Sequence, residues 1–402
     1  MAHDDPLHGA RIVLGVCGSI ASYKAADLAS KLTQAGAEVD VVLTDAAQKF
    51  VAPLTFRGLT GRPVFTDMYD PHSPLAEEHV ALARAASAMI IAPASATTLA
   101  RLAHGMADDM VALTALATAA PVLVAPAMDA QMWLHAATQA NVALLRERGV
   151  IFVGPAEGRL ASGHTGPGRL VETDAILGAL RQALGTHGDL AGRRIVVSAG
   201  GTHEPLDPVR FVGNRSSGKM GFAIAEAARD RGAHVTLVCG PVALPTPYGV
   251  SRIDVETTAD MASVVLGATA GCDALIMAAA PADFRPSAAA EQKIKRTGAS
   301  LNIELVPNED IIAGLRGDFV KVGFAAETEQ LMANAQAKIA KKGLDLIAAN
   351  DVTAAQAGFA HDTNRVTLIA ADGSIDELPL LSKYEVGHRI LDRVAAILAQ
   401  RA

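Results

Sequence analysis

The chain opens the same supersecondary unit twice. Near the start, Ile12-Val13-Leu14-Gly15-Val16-Cys17-Gly18-Ser19 is an apolar run ending in a small-residue turn; near the middle, Ile195-Val196-Val197-Ser198-Ala199-Gly200-Gly201-Thr202 repeats it. Each run leads to a second strand-like segment, Gly36 to Thr44 and Gly232 to Val238. A strand, a glycine turn, a helix and a parallel strand make a βαβ unit, whose turn offers backbone N–H groups to a phosphate. The copies are unequal, because about a dozen extra residues within His203 to Gly221 separate turn from second strand in the later one. Unequal turns on a shared frame point to two sites with different ligands.

At 402 residues, half of them apolar, the chain can bury two cores. The linker-like Gly185-Thr186-His187-Gly188-Asp189 divides it into domains 1–188 and 189–402. A net charge of −7 argues against a nucleic-acid partner, which calls for a basic stripe. The cysteines, Cys17, Cys239 and Cys272, are odd in number and sit in or beside apolar strands, which suits a reducing, cytoplasmic compartment. The first residues, with Asp4 and Asp5, do not read as a secretory signal. Met110 to Met128 is uncharged and long enough to resemble a membrane span, but Pro121 and Pro126 split it into a buried helix and a short strand. No membrane association is expected.

In the first half, strands near 11–16, 38–43, 88–92, 121–125 and 150–153 alternate with helical stretches such as Ala21–Ala35 and Ala96–His104. Gly158 to Gly168 is glycine-rich and reads as a mobile flap. The second half restarts at 194–199 and continues near 233–239, 274–278, 320–324 and 345–348, ending in a hairpin about Asp372-Gly373 and a helix over 382–400. Both halves are expected to be doubly wound α/β domains with parallel sheets, so chemistry belongs in the loops at the strands' carboxyl ends.

The first turn, Gly15 to Ala21, lacks a third glycine and a P-loop lysine, and alone it says only nucleotide or flavin phosphate. Four further segments follow: His79; Ala92-Pro93-Ala94-Ser95-Ala96-Thr97; Gly105-Met106-Ala107-Asp108-Asp109; and Pro126-Ala127-Met128-Asp129-Ala130-Gln131-Met132-Trp133. Their order resembles the homo-oligomeric flavin-containing cysteine decarboxylases, in particular those acting on phosphopantothenoylcysteine. The resemblance implies a flavodoxin-like fold and an FMN site at Gly15, Gly18, Ser19, Ile20, Thr44, Ser95, Met106 and Met128. It also implies His79 as active-site base and the Pro126–Trp133 segment as holder of the substrate carboxylate. In that family the cysteine moiety is oxidised by flavin to a thioaldehyde, the electron sink for loss of carbon dioxide, and the enethiol is then reduced.

Two positions depart from the family pattern. Asp129 stands where an asparagine is usual, and Ser162 where the flap usually carries a cysteine. An ionised Asp129 about 4 Å from a substrate carboxylate would cost about 4 kcal/mol at an effective dielectric near 20. It must be protonated, reoriented or paired, and a helix N-cap role fits it equally well. A serine hydroxyl is a far poorer acid than a thiol, so His164, or water held by Ser162, is the candidate proton donor.

The enlarged second turn carries Thr202-His203-Glu204-Pro205-Leu206-Asp207-Pro208-Val209-Arg210 and Asn214-Arg215-Ser216-Ser217-Gly218-Lys219-Met220-Gly221. A serine, glycine and lysine turn opening a helix makes a phosphate cradle. Later come Ala279, Asp283, the basic run Lys293-Ile294-Lys295-Arg296, Asn308-Glu309-Asp310-Ile311, Gly323-Phe324-Ala325-Ala326-Glu327-Thr328, and Lys338, Lys341 and Lys342. Together they resemble phosphopantothenate–cysteine ligase, and with the first half they follow the order of bifunctional bacterial enzymes of coenzyme A biosynthesis. The resemblance implies a Rossmann-like fold binding CTP and magnesium through Ser216, Gly218, Ala279, Asp283, Lys293, Asn308, Asp310, Ile311, Phe324, Lys338 and Lys342, with Asp283 at the metal. It implies an acyl-cytidylate of 4'-phosphopantothenate that cysteine attacks, with Asn214 on the acyl group and Lys293 on the phosphates. It further implies a homo-oligomer, a dodecamer built from decarboxylase trimers and ligase dimers. Two other readings stand beside it: a ligase whose first half is a scaffold or regulatory module, and a nicotinamide-dependent oxidoreductase, which the missing GxGxxG disfavours.

Overall fold

A computed structural model describes residues 5–69, 77–296, 300–327, 331–351 and 361–401, and the chain divides into two compact units, 5–185 and 186–402. Thr328, the last residue of the Gly323–Thr328 motif, lies outside the described residues.

The first unit is built on a six-stranded sheet of β1 (Arg11–Val16), β2 (Glu38–Leu43), β3 (Val64–Phe65), β4 (Ala88–Ala94), β5 (Val122–Pro126) and β6 (Ile151–Phe152). The order is β3-β2-β1-β4-β5-β6, all parallel. Without the short edge strand β3 this is the flavodoxin order, 2-1-3-4-5. Every residue of β4 is buried, as a strand covered by helices on both faces must be. The helix Met110–Ala117 and β5 divide the long uncharged stretch, and no described helix is long and apolar enough to cross a membrane.

The glycine-rich segment expected as a flap is an antiparallel hairpin, β7 (Ala156–Arg159) with β8 (Thr165–Arg169). Gly168, at φ +130, lies so close to the Met128 carbonyl that a Cβ would collide with it, while the Met128 N–H donates to the Gly168 carbonyl at 2.9 Å. Glycine therefore lets this hairpin dock on the Pro126–Trp133 segment.

The second unit carries β9 (Arg194–Ala199), β12 (His234–Cys239), β13 (Ser251–Asp254), β14 (Ala274–Met277), β17 (Val320–Glu327), β18 (Leu346–Asp351), β20 (Val366–Ala370) and β21 (Ile375–Glu377). They run β13-β12-β9-β14-β17-β18-β20-β21. The first six are parallel in the Rossmann order, but β20 and β21 are antiparallel. This edge holds the hairpin expected about Asp372-Gly373: a tight turn at Gly373 joins β20 and β21, and such a turn joins antiparallel strands. Alternate residues of β9 enter different cores: Ile195, Val197 and Ala199 pack with Ile224 and Ile390, whereas Val196 packs with Met261 and Val265. A Cβ on Gly221 would stand 2.6 Å from the Ala199 Cβ and 2.7 Å from the Ser198 carbonyl. That glycine lets the helix Lys219–Arg229 lie against β9.

Among the described residues, two-stranded antiparallel ribbons accompany this sheet: β10 (His203–Pro205) with β11 (Phe211–Gly213), β15 (Phe284–Pro286) with β16 (Leu305–Pro307), and β19 (Thr363–Asn364) with β22 (Leu381–Ser382). The final helix spans Lys383–Arg401. Cys17, Cys239 and Cys272 are free and buried.

Candidate functional site

In each unit motif residues line cavities where the strand order reverses, beside the carboxyl ends of β1 and β4 or of β9 and β14. In the first unit a cleft of about 670 Å³ is lined by Gly18, Ser19, Ile20, Ser95, Met128, Asp129 and Ser162. Gly18 is fixed by crowding, because a Cβ there would strike Ala46. Ser19 and Ser22 tie the turn together: the Ala21 N–H donates to Ser19 Oγ at 3.3 Å, and Ser22 Oγ donates to the Cys17 carbonyl at 2.8 Å. The turn then opens the helix Ser22–Gln34, whose amino end favours anions. Ser95 caps Ala96–His104 by accepting from the Thr98 N–H at 3.2 Å.

Asp129 is paired. It caps the helix Ala130–Leu134 through the Gln131 N–H at 3.0 Å, and Ser162 Oγ donates to its other oxygen at 2.8 Å. The Ser162 hydrogen bond, then the Gln131 N–H and the nearby His164 charge, outweigh desolvation and hold its carboxyl below the usual range. Asp129 is thus an ionised group on the cleft wall, with the serine hydroxyl committed to it. Burial pushes the Cys17 thiol up to about 12, so this nearby thiol is no substitute acid.

Other first-unit candidates lie off this wall. Gly15 is a packing glycine within β1, where a Cβ would meet Val111 at 2.9 Å. Thr44 is buried and accepts from the Ala47 N–H at 3.2 Å, shaping the loop that abuts Gly18. Met106 is exposed after left-handed Gly105. His79 is half-buried on the helix Glu78–Ala85, and His164 is exposed on the hairpin turn, where its carbonyl accepts the Leu160 N–H. The cleft instead recruits Lys24, Arg159 and Arg169. Lys24, on the helix behind the turn, and Arg159, in a mostly glycine and small-residue hairpin, carry no motif of their own.

In the second unit a cavity of about 280 Å³ gathers Ala279, Asp283, Asn308, Asp310, Ile311, Phe324, Lys338 and Lys342. A second cavity of about 190 Å³ contains Ser216 and Gly218 and shares Ala279 and Phe324 with the first. Lys342 Nζ lies 3.0 Å from Asp310 Oδ2. Burial opposes ionisation of Asp310, but Lys342, the Ala313 N–H and the Lys341 charge keep its carboxyl below the usual range. Both side chains are partly exposed, so the pair adds little stability; its consequence is a cation held on the cavity wall.

The Glu204–Arg210 motif acts from behind this wall. Glu204 is 2% exposed and accepts from the Thr258 N–H at 2.9 Å and from Thr258 Oγ1 at 2.7 Å. The Ala282 N–H donates to Thr202 Oγ1, which is paired with Thr258 Oγ1, and Asn308 Nδ2 donates to the Ala282 carbonyl at 2.9 Å. Buried Glu204 thereby fixes the two loops bearing Asp283 and Asn308. Asp207, held well below the usual carboxylate range chiefly by Arg210, accepts from the Ile294 N–H, and Arg210 donates back to the Ile294 carbonyl.

This pins the backbone beside Lys293. Lys293 itself is exposed and lines neither cavity. Asn214 is exposed, and its amide donates to the carbonyls of Ala280 and Pro281 at 3.2 and 2.9 Å. Thr258, Asn350, Asn364 and Lys383 also line these cavities without having been singled out in the sequence. Among the described residues no three His, Cys, Asp or Glu side chains form a metal-ligand group.

Residues 1–185 match the family described as Flavoprotein, and residues 190–398 the family described as DNA/pantothenate metabolism flavoprotein C-terminal domain. Coenzyme A biosynthesis bifunctional protein CoaBC of Bacillus subtilis (strain 168) is 44% identical over 98% of this chain and 98% of its own. The protein of the same name from Escherichia coli (strain K12) is 44% identical over 96% and 97%. A crystal structure of the C-terminal domain of CoaBC is 38% identical, covering 53% of this chain and 99% of that one, with a TM-score of 0.46.

Proposed function

The chain belongs to the family of bifunctional coenzyme A biosynthesis proteins, and from that premise we propose how its two units divide the work. The second unit joins 4'-phosphopantothenate to cysteine at the expense of CTP; the first, with FMN, decarboxylates the product to 4'-phosphopantetheine. The observation that carries this reading is the convergence of eight separately placed motif residues, Ala279 to Lys342, on one cavity.

The nucleotide reading fits the residues present. Lys338 and Lys342 offset triphosphate charge, the Ser216–Lys219 turn supplies amides and hydroxyls, and Ala279 and Phe324 join the two cavities. Magnesium is commonly held by one or two carboxylates together with phosphate oxygens and water. Asp283 suits an ion that arrives with the nucleotide. Asn214, by holding the Ala280–Pro281 backbone, is placed to orient the acyl group through the segment it anchors. Lys293 reaches the phosphates only if the segment that Asp207 and Arg210 pin turns inward on binding.

The first cleft fits FMN in size, in its phosphate-favouring turn and cations, and in an apolar wall of Ile20, Met128 and Met132. When bound, the flavin would supply the two-electron oxidation that makes the carboxylate labile and, after carbon dioxide is lost, return the two electrons to the enethiol. The chain's own residues position it: Ser19 and the Gly18 turn at the phosphate, Ser95 at the mouth, and the hairpin with Ser162 as a cover over the substrate. His79 and Met106, being off the wall, join the cleft from a second copy in the trimers that the resemblance implies. Exposed Ile20, Tyr23, Met132 and Leu134 offer an apolar surface for such contacts. The free, buried cysteines accord with a cytoplasmic protein.

Purified full-length chain, given 4'-phosphopantothenate, cysteine and CTP, should form CMP and release carbon dioxide. A second reading, a ligase with a silent first unit, is favoured by one observation: Ser162 is hydrogen-bonded to an ionised Asp129. CMP formation without carbon dioxide release would select it.

A further inference from the structure

Asp129 is the one carboxylate among the described residues that line the first cleft. Tyr23, Lys24, Arg159 and Arg169 line it as well, and His164 is close enough for its charge to act on Asp129. Arg169 is paired with Glu172, and Lys24 Nζ lies 3.7 Å from the same carboxylate. The turn that presents Ser162 is closed by the Leu160 N–H on the His164 carbonyl at 2.8 Å and by the Gly163 N–H on the Leu160 carbonyl at 3.0 Å. The hairpin docks through Met128, next to Asp129. Ser162 Oγ then donates to Asp129 Oδ2 at 2.8 Å, while the Gln131 N–H holds Oδ1 at 3.0 Å. Decarboxylation makes its demand at this place, because the carbon that loses carbon dioxide must next gain a proton. A substrate carboxylate arriving beside ionised Asp129 brings two like charges together, and a proton relieves them. When carbon dioxide departs, that reason for protonation departs with it. Asp129 falls back to the low range that Ser162 and the Gln131 N–H impose on the open cleft, and so becomes an acid at the step that needs one.

We propose that Asp129 and Ser162 form a proton relay to the decarboxylated carbon: Asp129 takes up a proton when the substrate carboxylate binds and later passes it on through the Ser162 hydroxyl. This rests on the decarboxylase reading above. The bond from carbon to carboxylate breaks, its electron pair becomes the carbon–carbon double bond of an enethiolate, and the thioaldehyde sulfur takes the charge. The same carbon then takes the proton of Ser162 Oγ, that oxygen takes the proton of Asp129, and the thioaldehyde so restored accepts the two electrons returned by the flavin. The hydrogen bond from Ser162 to Asp129 is the resting direction, and loading reverses it.

The test uses the full-length, flavin-bearing chain and two unreactive analogues: phosphopantothenoylserine, with a hydroxyl for the thiol, and its ethanolamine counterpart, which lacks the carboxylate. Calorimetry in buffers of different ionisation enthalpy counts the protons taken up. Failure of both analogues to bind would count against the decarboxylase reading itself. At about pH 6 the serine analogue should take up most of one proton more than its counterpart, which carries the same phosphate, and its affinity should fall as pH rises through the range of uptake. Asp129→Asn keeps the helix cap and should abolish the extra uptake, whereas His164→Gln should keep it. No extra uptake by the wild type, or uptake that persists in Asp129→Asn, overturns the proposal. With phosphopantothenoylcysteine, Ser162→Ala should bleach the flavin at the wild-type rate but recover its colour about a hundredfold more slowly, and Ser162→Thr, which keeps the hydroxyl, should recover within about threefold of wild type. Recovery at the wild-type rate in Ser162→Ala overturns the relay.

Discussion

Both units use a sheet ordered 3-2-1-4-5-6, yet they build different sites on it. In the first, β1 passes through a compact turn into its helix, leaving a wide cleft that a hairpin from a later part of the chain covers. In the second, a long excursion from Gly200 to Gly218 intervenes, and its buried Glu204 and Asp207 organise loops far along the sequence. The same switch point thus becomes an open cleft when the turn is short and a pair of linked, cation-lined cavities when the turn is long. A flat flavin with one phosphate suits the former, and a triphosphate with a metal ion the latter.

Breaking the second frame alone gives the largest expected effect. Gly221→Val pushes a branched side chain into the Ser198 and Ala199 backbone, costing about 3 kcal/mol or more. CTP binding should vanish while bound flavin absorbance persists; loss of both would show that the units do not stand as separate frames. Next, the double variant Asp129→Asn with Ser162→Cys removes a carboxylate repulsion of up to about 4 kcal/mol and restores a thiol. Carbon dioxide release from phosphopantothenoylcysteine should rise about a hundredfold, and an unchanged rate would remove Asp129 from the substrate's surroundings.

Glu204→Gln leaves Thr258 with a weaker acceptor and should cost the second unit about 1–3 kcal/mol, read by denaturant unfolding. The smallest effect concerns Asp129, whose folded pKa lies below its unfolded value near 3.9. Its stabilising contribution is fully present above that unfolded value and is lost as pH falls through the depressed folded one. Ser162→Ala removes the first contributor to the depression, so carboxyl NMR should show Asp129 titrating at higher pH. Any stability difference from wild type should appear near neutrality and fade in acid.

The sheets were legible because strands buried on both faces read as unbroken apolar runs, as Ala88–Ala94 does. The second-unit cavity was legible as well, because its residues come as motif clusters whose loops converge at the strands' carboxyl ends. Less was visible where function depends on docking. Ser162 reaches Asp129 only because Gly168 lets the hairpin lie on Met128, and three-residue strands such as His203–Pro205 carry no periodic signal. Gly15 packs within β1 and Thr44 shapes the loop that abuts Gly18, so neither lines the cleft. Lys383 stands far along the chain from Ser216 and Gly218, and only the return of the final helix brings it to the cavity they line.

The central claim is that one chain carries both half-reactions, on a flavin in the compact turn and a cytidine nucleotide in the enlarged one. The direct measurement is a single time course with purified full-length chain, 4'-phosphopantothenate, carboxyl-labelled cysteine and CTP, following CMP and labelled carbon dioxide together. The account predicts a flavin-bearing protein that releases both, with carbon dioxide trailing CMP and reaching the same final amount. CMP accumulating with phosphopantothenoylcysteine, and no labelled carbon dioxide, would contradict it.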